Sequence, residues 1–255
     1  MIRRQGFAIV AIALMIPCAS ITHAQGWGSI TGQFVWPDKE PLPKPKPIVA
    51  PPGAGCPAGL VDNRELVDAE SRGLKNVMVW FDTVKLDGKV GPVHPKLAKP
   101  AVQTVKLNQP ACLFVERITL MRTDQVLEIG NAAGVAHNTR IMFRVNSAVN
   151  ILLAPGGTKS FKNLRSEPRP VGVACDLHGW MAGQVGVFDH PYFAVSDKQG
   201  NFAIDNIPAG ELILFMLHEK NGWQHAGNLK QGQKITIKAG QVADLGKIPV
   251  RILKD

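Results

Sequence analysis

Short apolar runs, each closed by Gly, Pro, Asn or Asp, recur along this 255-residue chain, and no long stretch carries a helical period. That texture predicts an all-β fold. Strands are expected at Gly28–Val35, Lys75–Thr83, Leu113–Arg122 and Gln125–Asn131. Val77, Val79 and Phe81 share one face of the second of these, and Met78 and Trp80 share the other, so that strand should be covered on both sides. In Gln125–Asn131, Leu127 and Ile129 alternate with Glu128, the pattern of a half-buried strand. Val171–Ala174 and Gln184–Phe188 read as adjacent strands. Hydrophobic residues make up 45% of the chain and charged residues 19%, the balance of a folded globular protein.

Residues 37–59 hold eight Pro. Pro lacks the ladder donor, so this stretch is expected to be an extended connection, solvated around Lys44 and Lys46. The texture changes after His190. Tyr192–Val195, Asn201–Asp205, Leu212–Leu217, Lys234–Lys238 and Gln241–Val250 read as strands, with turns at Asp197–Gly200 and Pro208–Gly210. They predict a second, smaller β-sandwich.

The first 24 residues form a secretory signal. Arg3 and Arg4 precede the apolar run Phe7–Ile16, and Thr22-His23-Ala24 supplies a cleavage site after Ala24. The run is too short to span a bilayer, no later segment is a transmembrane candidate, and Pro17 argues against a lipoprotein signal at Cys18. The location implied is periplasmic or secreted. The full chain has formal charge +9, and without its two signal arginines +7. A basic surface of this kind suits an anionic partner, such as an acidic redox protein. Low aromatic content and the lack of a recognition motif argue against nucleic acid. Of four Cys, Cys18 leaves with the signal. Cys56 and Cys112 are the expected disulfide of an oxidising compartment if Cys175 is otherwise engaged; pairing of Cys175 with either of them is the alternative.

Cys175-Asp176-Leu177-His178-Gly179-Trp180-Met181 sets a thiolate, an imidazole and a thioether at Cys-x2-His-x2-Met spacing between two adjacent strands. A second imidazole, His137, is expected on a neighbouring loop at the same end of the sandwich. A His2Cys set with a weak axial Met suits both Cu(I) and Cu(II), and soft sulfur donors favour copper over hard cations. The prediction is one copper ion bound by His137, Cys175, His178 and Met181. His190, His218 and His94 lack a companion Cys or a second spaced His and read as structural. No Gly-x-Ser-x-Gly, His-Glu-x-x-His or phosphate loop is present, and a four-ligand site offers substrate no open position, so an enzyme is not expected.

The segment 175–181 resembles the ligand loop of the cupredoxin (blue copper) family, most of all the short loop of amicyanin. The resemblance implies a Greek-key β-sandwich over residues 60–189. It makes His137 and His178 equatorial imidazoles, Cys175 the equatorial thiolate and Met181 the axial thioether. Asn138 is then the residue that ties the two ligand loops together from behind. Gly179 departs from the Pro often found there. Residues 190–255, with Ile207-Pro208-Ala209-Gly210-Glu211-Leu212, resemble a carboxypeptidase regulatory-like (transthyretin-like) β-sandwich. Gly28–Val35, within 25–59, looks like that fold's first strand, in which case the cupredoxin unit is inserted into it; the alternative is that residues 28–35 join the cupredoxin sheet. Nearly all of residues 27–250 resemble a bacterial plastocyanin-like, methylamine-utilisation-like family.

The function implied is one-electron transfer between redox partners, with His178 on a surface loop as the exit route. Two other readings stand beside it. One is a copper carrier or store, against which the lack of Met-rich or His-rich tracts counts. The other is a binding or scaffold module in which the second sandwich docks on a partner.

Overall fold

In the computed structural model, residues 26–82, 85–86, 89–90, 92–225 and 231–253 are described. The signal segment expected at residues 1–24 lies outside them. Strand β1 (Trp27–Val35) comes first, then β2 (Val77–Phe81) and the small ladder of β3 (Lys85–Leu86) with β4 (Lys89–Val90). Next come β5 (Thr104–Asn108), β6 (Ile118–Arg122), β7 (Val126–Gly130) and β8 (His137–Ile141). They are followed by β9 (Val149–Leu153), β10 (Thr158–Phe161), β11 (Val171–Ala174) and β12 (Ala182–Phe188). The chain ends with β13 (Phe193–Val195), β14 (Asn201–Pro208), β15 (Gly210–His218), β16 (Gly222–Trp223), β17 (Gln233–Ile237) and β18 (Val242–Pro249). The protein is all-β, as its punctuated apolar runs predict.

Strands β5 to β12 make one sandwich. Its sheets run β10-β7-β5 and β6-β12-β11-β8-β9; the chain crosses between them at every step except the hairpins β8–β9 and β11–β12, which stay in the larger sheet. Leu107, Met121, Leu127, Ile129, Ile141, Val173 and Val185 fill the space between them. The second sandwich has sheets β14-β1-β18 and β13-β2-β15-β16, with β17 also paired to β15. Its core holds Ile30, Phe34, Val77, Val79, Phe81, Leu214 and Met216.

Strand β1 thus belongs to the second sandwich, as its sequence suggests, and the first sandwich is inserted between β2 and β13. The expected boundary at residue 60 needs correction. Val67–Phe81 belongs to the second sandwich, because β2 pairs along its length with β15 and with β13. The double-sided apolarity of β2 has a specific cause. Val77, Val79 and Phe81 face its own sandwich, while Met78 and Trp80 pack with Ile118 and Phe188 of the other. The expected strand Leu113–Arg122 is shorter than read and begins at Ile118.

Beside that apolar seam lies a polar clamp. The buried Arg117 guanidinium donates to both oxygens of Glu219, which follows β15, with the Nη2 bond at 2.8 Å, and to Asn63 at 2.8 Å.

The Pro-rich connection is pinned more firmly than a solvated linker would be. Arg72 gathers the carbonyls of Trp36, Pro37 and Glu40, and Ile48 donates to the Leu60 carbonyl at 2.8 Å. The connection ends in a disulfide between Cys56 and Cys112. Among the described residues no helix is long and apolar enough to cross a membrane.

Candidate metal centre

Register brings the two candidate ligand segments together. β8 and β11 are antiparallel neighbours with Ala174 opposite Arg140, so the residue after Ala174 reaches the end of the sheet where β8 begins. That residue is Cys175, and the residue that opens β8 is His137. His137 therefore stands on a central strand and not on the loop expected for it. Asn131 shapes the approach to β8: its amide donates to the carbonyls of Val135 and Leu153, and its oxygen accepts from the Ala133 amide.

Residues 175–181 join β11 to β12, which pair with Ala174 opposite Ala182. Two backbone bonds close this loop: Cys175 N to Met181 O at 3.0 Å and Met181 N to His178 O at 2.8 Å. They turn the chain so that Cys175, His178 and Met181 all lie inward. Their exposures are 2%, 6% and 1%, and His137 is 0% exposed, so the cluster is almost wholly buried, with only an edge of His178 near solvent. The buried position of His178 departs from the surface position expected for it.

The donor atoms converge. Nδ1 of His137 and Nδ1 of His178 are 3.0 Å apart, and the Cys175 sulfur is 3.9 Å from the first and 3.7 Å from the second. A point equidistant from the three lies about 2.1 Å from each, close to ordinary metal–imidazole and metal–thiolate bond lengths. These three side chains form a group suited to a metal ion by distance, burial and donor type. A buried thiol and two buried imidazoles with little else to bond are also an expensive arrangement without one. Burial, and then the nearby charge of His178, pushes the pKa of His137 down to about 4. Its ring is therefore neutral near pH 7, the state in which imidazole is a ligand.

Asn138 holds the loop. Its side-chain oxygen accepts from the Asp176 amide at 2.6 Å and the Leu177 amide at 3.3 Å, and the Cys175 thiol lies 3.4 Å from the same oxygen. Its amide nitrogen donates to Asp176 and to Asn150, each at 3.0 Å. Arg140 donates to the other oxygen of Asp176 at 2.7 Å, and that bond and charge keep the carboxyl pKa low. Sequence reading found Asn138 but not Asp176 or Arg140. Their only signal was that one adjoins a ligand and the other lies three residues after one.

His190, His94 and His218 lie outside the cluster and make local hydrogen bonds. Nε2 of His190 faces the Phe81 carbonyl at 3.1 Å, and its Nδ1 accepts from the Tyr192 amide. His94 caps a short 3-10 turn through the Lys96 amide. His218 accepts from the Asn221 amide at 3.1 Å. Asp197 accepts from the amides of Gln199 and Asn201 and so makes the turn expected of it.

No protein-family model and no curated protein matches the chain. Solved structures do match part of it. A methionine-to-alanine mutant of amicyanin in its Cu(I) form is 15% identical, over 35% of this chain and 87% of that one, with a TM-score of 0.30. Amicyanin from Paracoccus versutus is 14% identical, over 38% and 91%, with a TM-score of 0.29. A purple cupredoxin from Nitrosopumilus maritimus is 14% identical, over 34% and 99%, with a TM-score of 0.27.

Proposed function

We propose that this chain is an exported, non-enzymatic one-electron carrier that holds a single copper ion at His137, Cys175, His178 and Met181. One observation carries the reading: two imidazole nitrogens and a thiol converge around a common point inside a buried pocket. The order His, Cys, His, Met and the spacing 175–181, with their resemblance to the cupredoxin ligand pattern, add to it.

The roles follow from donor chemistry. Cys175 would bind as thiolate, releasing its proton, and so supply the negative charge and soft donor that keep copper in preference to hard cations. His137 and His178 would bind through Nδ1, and Met181 would add a weak, soft thioether donor. Copper held there would supply one-electron chemistry, because this donor set suits both Cu(I) and Cu(II).

The chain's own task is to keep its donors still while that charge changes. Burial excludes water that would otherwise add ligands to the oxidised state. Asn138 and Asp176 fix the loop from behind. Burial of every donor also suits an ion retained through many cycles, and not one handed on, which favours a carrier of electrons over a carrier of copper. Leu177, between two donors, is 58% exposed and offers an apolar contact for a redox partner.

The test is a copper titration of the metal-free mature protein, followed by visible absorption in the oxidised state. An intense band that saturates at one equivalent and bleaches on reduction is expected, and Cys175→Ser should lack it. Absence of the band in the parent protein, or its survival in Cys175→Ser, would overturn the proposal.

A further inference from the structure

A loop histidine between exposed Leu177 and exposed Gly179 ought to meet solvent, yet His178 is 6% exposed. The cover comes from far away in sequence. A ring nitrogen of His178 lies within 4.8 Å of both sulfurs of the Cys56–Cys112 disulfide. Trp180 closes another side: its ring centre is 5.2 Å from that of His178, and its indole N–H donates to the Cys112 carbonyl at 3.1 Å. The Pro-rich segment that carries Cys56 is seated there by Ile48, which packs on the first core, and by Gly55. A side chain at Gly55 would start 2.3 Å from Val135, two residues before His137.

Ligand histidines usually have the second ring nitrogen hydrogen-bonded to a carboxylate, carbonyl or water, which fixes the ring. Among the described residues, the His178 ring makes hydrogen bonds only to His137 and Cys175, inside the donor cluster itself. Its orientation must come from what it packs against. We infer that the Cys56–Cys112 disulfide and Trp180 are positioning residues for His178: together they form the wall that holds its imidazole toward His137 and Cys175 and shields most of the ring from water. The cross-link joins residues 56 positions apart, so without it the stretch around Cys56 loses its one covalent tie to the Cys112 side of the wall. The value of this wall to copper rests on the function proposed above, whereas the shielding of His178 does not.

The experiment uses the full mature chain in two states. In the metal-free protein, histidine acylation by diethylpyrocarbonate is mapped by peptide mass spectrometry, with buried His190 as the internal control for folding. His178 should be protected in the parent protein. It should react about tenfold faster in Cys56→Ala/Cys112→Ala, in Trp180→Ala, and in the parent after mild phosphine reduction, while His190 stays protected.

In the copper-loaded protein, both variants should bind copper about 10–100-fold more weakly, with a shifted visible band, and Trp180→Phe should restore most of the affinity. Equal His178 reactivity in parent and variants, with His190 protected throughout, would overturn the inference. Should His190 become reactive in one variant, the reduced parent and the other variant decide. If the acylation contrast holds but no protein gives a copper–thiolate band, the wall stands and the copper reading falls.

Discussion

The side-chain oxygen of Asn138 accepts a hydrogen bond from the backbone amide of Asp176 at 2.6 Å, which ties the residue after one candidate ligand to the residue after another. Asn138 follows His137 and Asp176 follows Cys175, so this bond sets the spacing between the two ligand segments. Replacing Asn138 with Ala leaves the Asp176 and Leu177 amides without their acceptor and removes a donor from the Asp176 carboxylate. Asn138→Ala is expected to cost about 1–3 kcal/mol of stability and to weaken copper binding about 10–100-fold. Denaturant melts and a competitive copper titration check the two halves. Unchanged copper affinity would show that the loop keeps its shape without Asn138.

Acid should weaken the metal-free protein in a defined window. Burial lowers the pKa of His137, and that of His218, from 6.5 to about 4. Between those values the unfolded chain takes up protons that the folded chain refuses. Stability therefore falls as pH drops from about 6.5 toward 4, and is insensitive to these two groups above that range. Each contributes at most about 3 kcal/mol to the fall. Melts at intervals from about pH 7.5 to 4.5 measure it. Copper should keep the His137 share and carry it to lower pH, since a metal-bound nitrogen takes no proton while the unfolded chain still does, and His218→Leu should remove the other. A pH-independent midpoint would contradict the burial of both rings.

The clamp between the sandwiches makes a separate prediction. The side chains of Arg117 and Glu219 are 3% and 14% exposed, so removing one charge strands the other. Glu219→Gln is expected to cost about 3–5 kcal/mol. The double change Arg117→Met with Glu219→Leu should recover most of that, because neither charge is then left buried alone. Urea unfolding of the three proteins tests this. A cost for the double variant equal to that of the single one would mean that the pair itself holds the sandwiches together.

The donor types and spacing of the candidate site were legible because they sit in one short segment with one distant His-Asn. What surrounds them was less so. His-Asn-Thr-Arg-Ile shows no alternation, and β8 is a strand because β9 and β11 flank it, with all but Arg140 buried. Thr158–Phe161 pairs with β7 while staying mostly exposed, so it carries no apolar signal. The pattern of β2 correctly announced two covered faces, but not that its partner strand begins at Gly210, beyond the whole inserted sandwich. The cover over His178 was invisible for the same reason. Local periodicity reports the face of an element and says little of which remote segment will lie on it.

Two glycines separate close packing from open space. A Cβ at Gly73 would stand 1.9 Å from the Gln199 carbonyl oxygen and 2.6 Å from the Gly200 nitrogen. Both contacts are backbone, in the turn that accepts from the Phe34 amide, so neither can yield by rotating a side chain. Gly73→Ala is expected to cost about 1–3 kcal/mol or more by driving that turn away from β1. Gly179, in the ligand loop, has nothing within 4 Å of its would-be Cβ, and its φ is not in the left-handed region. Gly179→Ala should therefore stabilise the protein by about 0.4–1 kcal/mol through the unfolded chain and leave the copper titration unchanged. Thermal melts of the two variants should move in opposite directions. A loss of copper affinity in Gly179→Ala would show that the ligand loop needs the freedom of glycine for its chemistry, even though its resting shape does not.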